Sequence, residues 1–225
     1  LQKPRSLGVI GGGDFTSQQK QLEKLKTYKK VFKEIYPGLR TAKTEILTIK
    51  VKKTDAEMSV LAKQVAQGGS MDALSFEELM YSATLTPSLD EKIAIYTAAT
   101  KKGTYWNAHN NLGAAYIQQA IENPARAAEL TPKASAQLEL AVKIQETPEV
   151  NANMATVSLM GNNPYKAASY ANKALNGANN DVARGVNGVK GSAEIYTAKY
   201  DAAVRSESSA LTTDVNLFNK GLAQL

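Results

Sequence analysis

The chain has 225 residues, 43% of them hydrophobic, and a formal net charge of +6. It holds no cysteine, which excludes disulfides and thiolate metal sites, and no apolar run long enough to span a bilayer. Such a length fits one extended domain or two small ones, and a hydrophobic fraction rich in Ala but poor in bulky side chains suits helices packed closely in layers.

The opening Leu1-Gln2-Lys3-Pro4 reads as a trimmed or mature end, so the lack of a signal segment excludes no compartment. Gly11-Gly12-Gly13-Asp14 reads as a loop after Leu7-Gly8-Val9-Ile10 and invites a dinucleotide-binding reading. Thr16 stands where that spacing needs a third glycine, and Lys52-Lys53-Thr54 stands where a ribose-binding acid belongs. No cofactor is therefore expected.

Thr16 or Ser17 can cap a helix running to Tyr36, with Leu22, Leu25, Tyr28, Phe32 and Ile35 forming one apolar stripe beside Val31. Pro37-Gly38 is expected to stop it. The back of this helix is lysine-rich, and lysines continue to Lys53. No aromatic stacking platform accompanies them, so they read as a solvated face rather than a nucleic-acid surface. The alternation over Thr44–Lys52 predicts a strand, which must pair with Leu7–Ile10 or with upstream sequence. Residues 1–53 thus read as a partial α/β segment of loop, basic amphipathic helix and strand.

From Thr54 the pattern is helical. Thr54-Asp55-Ala56-Glu57 offers a cap and an acidic first turn for a helix to Ala66, ended by Gly68-Gly69. Ser75 should cap the next helix, and Pro87-Ser88 should open a third on which Ile93, Tyr96 and Ala99 share a side. The stretch Trp106 to Tyr116 puts Leu112 and Tyr116 on one helix face, while Gly113 lets a partner helix approach. The partner is expected around Ala134, Leu138 and Ala141, after inserted sequence from Ile121 through Thr131-Pro132 that should extend the first helix or bulge as a loop. Another hairpin starts at Pro148, with Asn151, Met154 and Ala155 in corresponding places, a turn at Asn162-Asn163-Pro164-Tyr165, and Ala167, Ala171 and Ala174 on its second helix. A further one joins Gly191–Tyr196 to Lys199-Tyr200-Asp201-Ala202-Ala203, where Tyr200 should pack beneath the turn and Ala203 against the preceding helix. Asn216–Ala223 then restarts the first-helix pattern, with Gly221 in the glycine place. An array ending after one helix leaves an apolar face uncovered, so continuation past Leu225 is expected.

Trp106–Tyr116 and Lys199–Ala203 resemble the tetratricopeptide repeat (TPR) family, and the likeness extends over about residues 72–225. The Pro148 repeat departs from the family in lacking the Leu-Gly-x-x-x-Tyr core, and the Trp106 repeat carries the insertion. The resemblance implies a mainly α chain: a TPR-like α-α superhelix of about three to four repeats over residues 54–225, truncated at its C-terminal end, after the small α/β segment. It also implies a noncatalytic scaffold that binds a protein or peptide in a concave groove lined by first helices. By register the groove residues are Asn107, Asn110, Ala114, Ile117, Ala152, Asn153, Thr156, Leu159, Ser192 and Ile195. Asn side chains can hydrogen-bond an extended peptide or merely solvate the helices. The Lys or Arg residues of a carboxylate clamp are missing there. Ile35–Lys43 and Glu77–Thr84 resemble Gram-negative envelope proteins in which an outer-membrane-protein-A-like region precedes TPRs. That likeness implies a periplasmic or outer-membrane location, without membrane insertion of this segment. The alternative it suggests is a structural spacer attached to a cell-wall-binding module, with peptidoglycan contact through upstream sequence.

No enzyme is read. His109 is the sole histidine, so neither a common metal site nor a Ser-His arrangement finds its second member. Glu77-Glu78 and Asp90-Glu91 fit helix-start electrostatics.

Overall fold

The computed structural model describes residues 14–39 and 52–225. The chain divides into two compact units, Leu1–Val51 and Lys52–Leu225. The loop at Gly11–Gly13, the segment Leu7–Ile10 and all of the expected strand except Lys52 lie outside the described residues, among which no strand occurs.

In the first unit, α1 (Phe15–Glu23) is capped by Asp14, whose carboxylate accepts from the Ser17 N–H at 2.8 Å. The expected cap at Thr16 or Ser17 thus falls two or three residues late. The single long helix is also corrected. A turn separates α1 from α2 (Tyr28–Lys30), which leads through a π turn (Val31–Ile35) into α3 (Tyr36–Leu39). Pro37 and Gly38 lie inside α3 instead of stopping it. Proline has no N–H to give and its ring crowds the carbonyl four residues back. The wider turn before it, in which the Tyr36 N–H reaches the Val31 carbonyl, moves the helical register and accommodates the ring. Leu22, Leu25, Tyr28 and Val31 of the stripe are partly buried, while Phe32 and Ile35 are exposed. Phe32 stacks on Tyr28 with ring centroids 5.7 Å apart.

The second unit is wholly helical in its regular structure: α4 (Asp55–Ala66), α5 (Phe76–Ser82), α6 (Leu89–Thr100), α7 (Trp106–Glu122), α8 (Ala127–Ile144), α9 (Pro148–Met160), α10 (Pro164–Leu175), α11 (Asn180–Tyr196), α12 (Tyr200–Ser208) and α13 (Asp214–Ala223). Short polar residues start seven of these ten helices because their side chains accept an N–H that the first turn leaves unpaired. Thr54 with Glu57, and Ser75 with Glu78, form capping boxes; Ser88, Thr147, Asn163, Asn179 and Thr213 each cap with one bond. Lys53 reaches both oxygens of Glu78 at 2.9 Å and ties the lead-in of α4 to the start of α5.

Three helix ends share one device. After α4, α9 and α11 a residue with positive φ (Gly68 at 90°, Asn162 at 56°, Ala198 at 54°) lets the next N–H reach back five residues, from Gly69 to Gln64, Asn163 to Ser158 and Lys199 to Glu194. This is the Schellman arrangement, which satisfies carbonyls that the last turn cannot.

The insertion after α7 lengthens both helices rather than looping out. α7 has 17 residues and α8 has 18, joined by the 3-10 turn Pro124–Arg126. Pro132 therefore sits inside α8, not ahead of it, which corrects the expected start of that helix. Tyr200 is corrected too: it is 51% exposed at the start of α12 instead of packed beneath the turn, whereas Ala203 is fully buried.

Each helix from α4 onward packs on its successor. One core cluster joins α4 to α7 around Leu79, Ile95 and Leu112, a second joins α7, α8 and α9 around Leu138 and Met154, and a third joins α9, α10 and α11 around Ala155, Ala171 and Val186. Ile95, one residue from the expected Ile93–Tyr96–Ala99 face, is 1% exposed and anchors the first of them. Ala134, Ala141, Ala167, Ala171 and Ala174 are all fully buried, so small residues set the close spacing of the hairpins.

Candidate partner-binding groove

Beyond the successive contacts, α7 also packs on α9, α9 on α11 and α11 on α13. The alternate helices that carry the sequence-predicted groove residues are therefore neighbours of one another, and residues far apart in the chain meet along them.

At the α7–α9 boundary the meeting is polar. Asn153 donates from Nδ2 to Asn110 Oδ1 at 2.9 Å, and Asn110 donates to Asn111 Oδ1 at 3.2 Å. Asn111 in turn hydrogen-bonds Tyr96 on α6, whose hydroxyl pKa is pushed up by burial and pulled back in part by that bond. Asn110 is only 7% exposed. Its amide thus ties helices together, a use that neither peptide binding nor simple solvation anticipated. Asn107 turns its carbonyl oxygen to the N–H of Ala108, 3.1 Å away.

Ile117 is 6% exposed and belongs to the second core cluster, so it does not line a groove. The reason is geometric. The accessible stripe of α7 runs Asn107, Asn111, Ala114, Gln118 and Ile121, four and three residues apart, and Asn110 and Ile117 lie one position to its inner side. Ala114 and Leu159 are partly buried, as is Ile195. At the α11–α13 boundary, Ser192 donates to the Gly188 carbonyl at 2.9 Å and accepts from Asn219 at 3.0 Å.

The α9–α11 boundary differs from both. Here Ala152, Asn153 and Thr156 come together around a cavity of about 290 Å³, whose other wall is Val182, Gly185, Val186 and Val189 on α11. Glu149 and Asp181 complete the lining. The α11 residues and the two acids were not picked out from the sequence. A stripe at positions 182, 186 and 189 was readable as helical periodicity, but its apposition to α9 depends on how the hairpins stack.

His109 places Nδ1 2.8 Å from Gln137 Oε1 on α8. No group of three or more metal-ligating side chains occurs among the described residues. No described helix is long and apolar enough to cross a membrane.

No family model, curated protein or solved structure matches the chain.

Proposed function

We propose that residues 54–225 act as a noncatalytic, TPR-like scaffold that binds a protein or peptide partner along the face formed by α7, α9 and α11. The observation that carries this reading is the contact of alternate helices, α7 with α9 and α9 with α11, which makes one continuous surface from separate hairpins. The repeated αL turns after α9 and α11 support the same repeat reading. The bacterial cell envelope is the proposed location, on the resemblance carried by Ile35–Lys43 and Glu77–Thr84.

The test is affinity capture from bacterial envelope extract with the 225-residue chain. One variant carries Ala114→Arg with Leu159→Arg on the groove, and a control carries Leu140→Arg on an exposed position of α8. A protein retained by the parent and the control but lost by the groove variant is the expected result. Equal capture by all three overturns the scaffold reading in favour of a spacer whose binding lies in a cell-wall module elsewhere.

A further inference from the structure

We propose that the cavity between α9 and α11 is a socket for a lysine or arginine side chain of the bound partner. The proposal rests on the scaffold reading and adds the chemistry of what the scaffold grips.

The cavity has the two halves that such a side chain needs. Its inner wall is Val186 of the third core cluster with the partly buried Ala152, Val182 and Val189 packed against that cluster, which can cover the methylenes of a long stem. Its remaining lining carries the carboxylates of Glu149 and Asp181, one from each helix. At about 290 Å³ it lies just below the range of about 300–1,000 Å³ typical of drug-sized ligands, and suits one long side chain.

Both acids stand in the first turn of their helices, where the helix dipole alone would favour them. Like Asp201 and Asp214 at the starts of α12 and α13, they carry an unmet charge, and what separates them is the apolar-walled cavity they share. Glu57 and Glu78 close capping boxes, and Glu129 is held by Arg126 and Lys133. Glu149 and Asp181 make no ion pair or side-chain hydrogen bond among the described residues, although the chain carries an excess of six positive charges. Two unpaired carboxylates beside an apolar wall attract a cation and disfavour an acidic residue.

Gly185 keeps the space open. A Cβ there meets nothing within 4 Å, and its φ lies outside the left-handed range, so a side chain at this position enters the cavity without forcing the backbone.

The experiment is a two-dimensional amide NMR titration of the isotopically labelled chain. The probes are three capped peptides Ala-Ala-X-Ala-Ala in which X is arginine, norleucine or glutamate. The socket predicts that the arginine peptide shifts the amides of Val182, Gly185, Val186 and Val189 and binds at least tenfold more tightly than the other two. Gly185→Met should abolish those shifts with the melting temperature kept. Glu149→Gln with Asp181→Asn, which changes no volume and needs no refilling of the core, should remove the preference for arginine over norleucine. Equal binding of norleucine in the parent overturns the socket, as does an arginine response that survives both variants. Shifts confined to the α7 face overturn the socket while leaving the scaffold reading intact. Absence of any shift overturns it too, and the capture experiment then judges the scaffold reading separately.

Discussion

Two helix crossings in the second unit use the same close approach with opposite chemistry. At the α7–α8 crossing, Gly113 faces Leu138, whose side-chain carbons lie 2.6 and 2.8 Å from where a Cβ would stand. Leu138 is fully buried among Ala134, Ala141 and Met154. At the α11–α12 crossing, Gly191 faces Glu207, with carboxylate and stem atoms 2.5–2.6 Å from the corresponding point. Glu207 is 5% exposed and neither of its oxygens has a hydrogen-bond partner. Burial pushes its carboxyl up to about 7, Asn219 nearby pulls the other way, and Glu194 adds to the rise. A glycine therefore secures close packing in either case, but only the first crossing fills the space with a group that favours being buried. The second holds a carboxylate whose cost depends on its proton.

The largest effect that would break the comparison is at Leu138. Leu138→Ala should lower unfolding free energy by about 3 kcal/mol, since it removes buried methyls and leaves a void between rigid helices. Denaturant unfolding checks it, and a loss under about 1 kcal/mol would mean that this crossing is not the tight one.

Glu207→Gln should act in the other direction, with a pH signature. The folded-state carboxyl titrates at about 7 against a reference value of 4.5, so between these values the folded chain keeps a proton that the unfolded chain has released. Parent stability should therefore fall as pH rises through this window and level off above it. The amide cannot ionise, so the variant should show no such fall. At pH 8 it should be the more stable form by on the order of 2 kcal/mol, with the gap closing toward pH 4. Melts across that range decide the sign, and parallel curves for the two proteins would remove the contrast between the crossings.

The glycines themselves sharpen it. Gly113→Ala should destabilise by about 1–3 kcal/mol, because the branched end of Leu138 has nowhere to move. Gly191→Ala meets the far end of a flexible glutamate that can swing away, and alanine is the better helix former by about 0.8–1.0 kcal/mol. It should be near neutral at pH 8. Equal losses at the two sites would show that the neighbour's flexibility is irrelevant.

The smallest effect serves as a control. Ala198, in the turn leading into α12, holds φ at 54°, where an L side chain is strained. Ala198→Gly should stabilise by about 1 kcal/mol at every pH, since it touches no titrating group. A pH-dependent gain would relocate the proton effect from Glu207 to the hairpin turn.

Much of the helical layout of the second unit was legible in the sequence. Thr54, Ser75 and Ser88 announced helix starts, Gly68 an end, and Gly113 with Leu112 a close crossing, because capping and steric relief act within a few residues. Boundaries went astray where a proline could be absorbed. Pro37 and Pro132 both lie inside helices; before Pro37 a π turn shifts the register that the proline would otherwise break.

The candidate groove positions differ in what the fold does with them. Ala152, Asn153 and Thr156 line one cavity, yet Ile117 went to the core and Asn110 to an inter-helix bond. A helical stripe read from sequence carries an uncertainty of about one residue in rotation, and only the packing of α8 and α9 on α7 decides which edge is covered. The sequence by itself determined the helices, their caps and the small residues at their crossings, since those depend on local sterics and hydrogen bonding. The tertiary structure alone decided which polar groups would meet: Asn110 with Asn153, Ser192 with Asn219, Glu149 with Asp181 about one cavity, and Glu207 with no partner. The paired groups stand from 27 to 43 positions apart, and nothing local to the chain reports what another helix will bring against them.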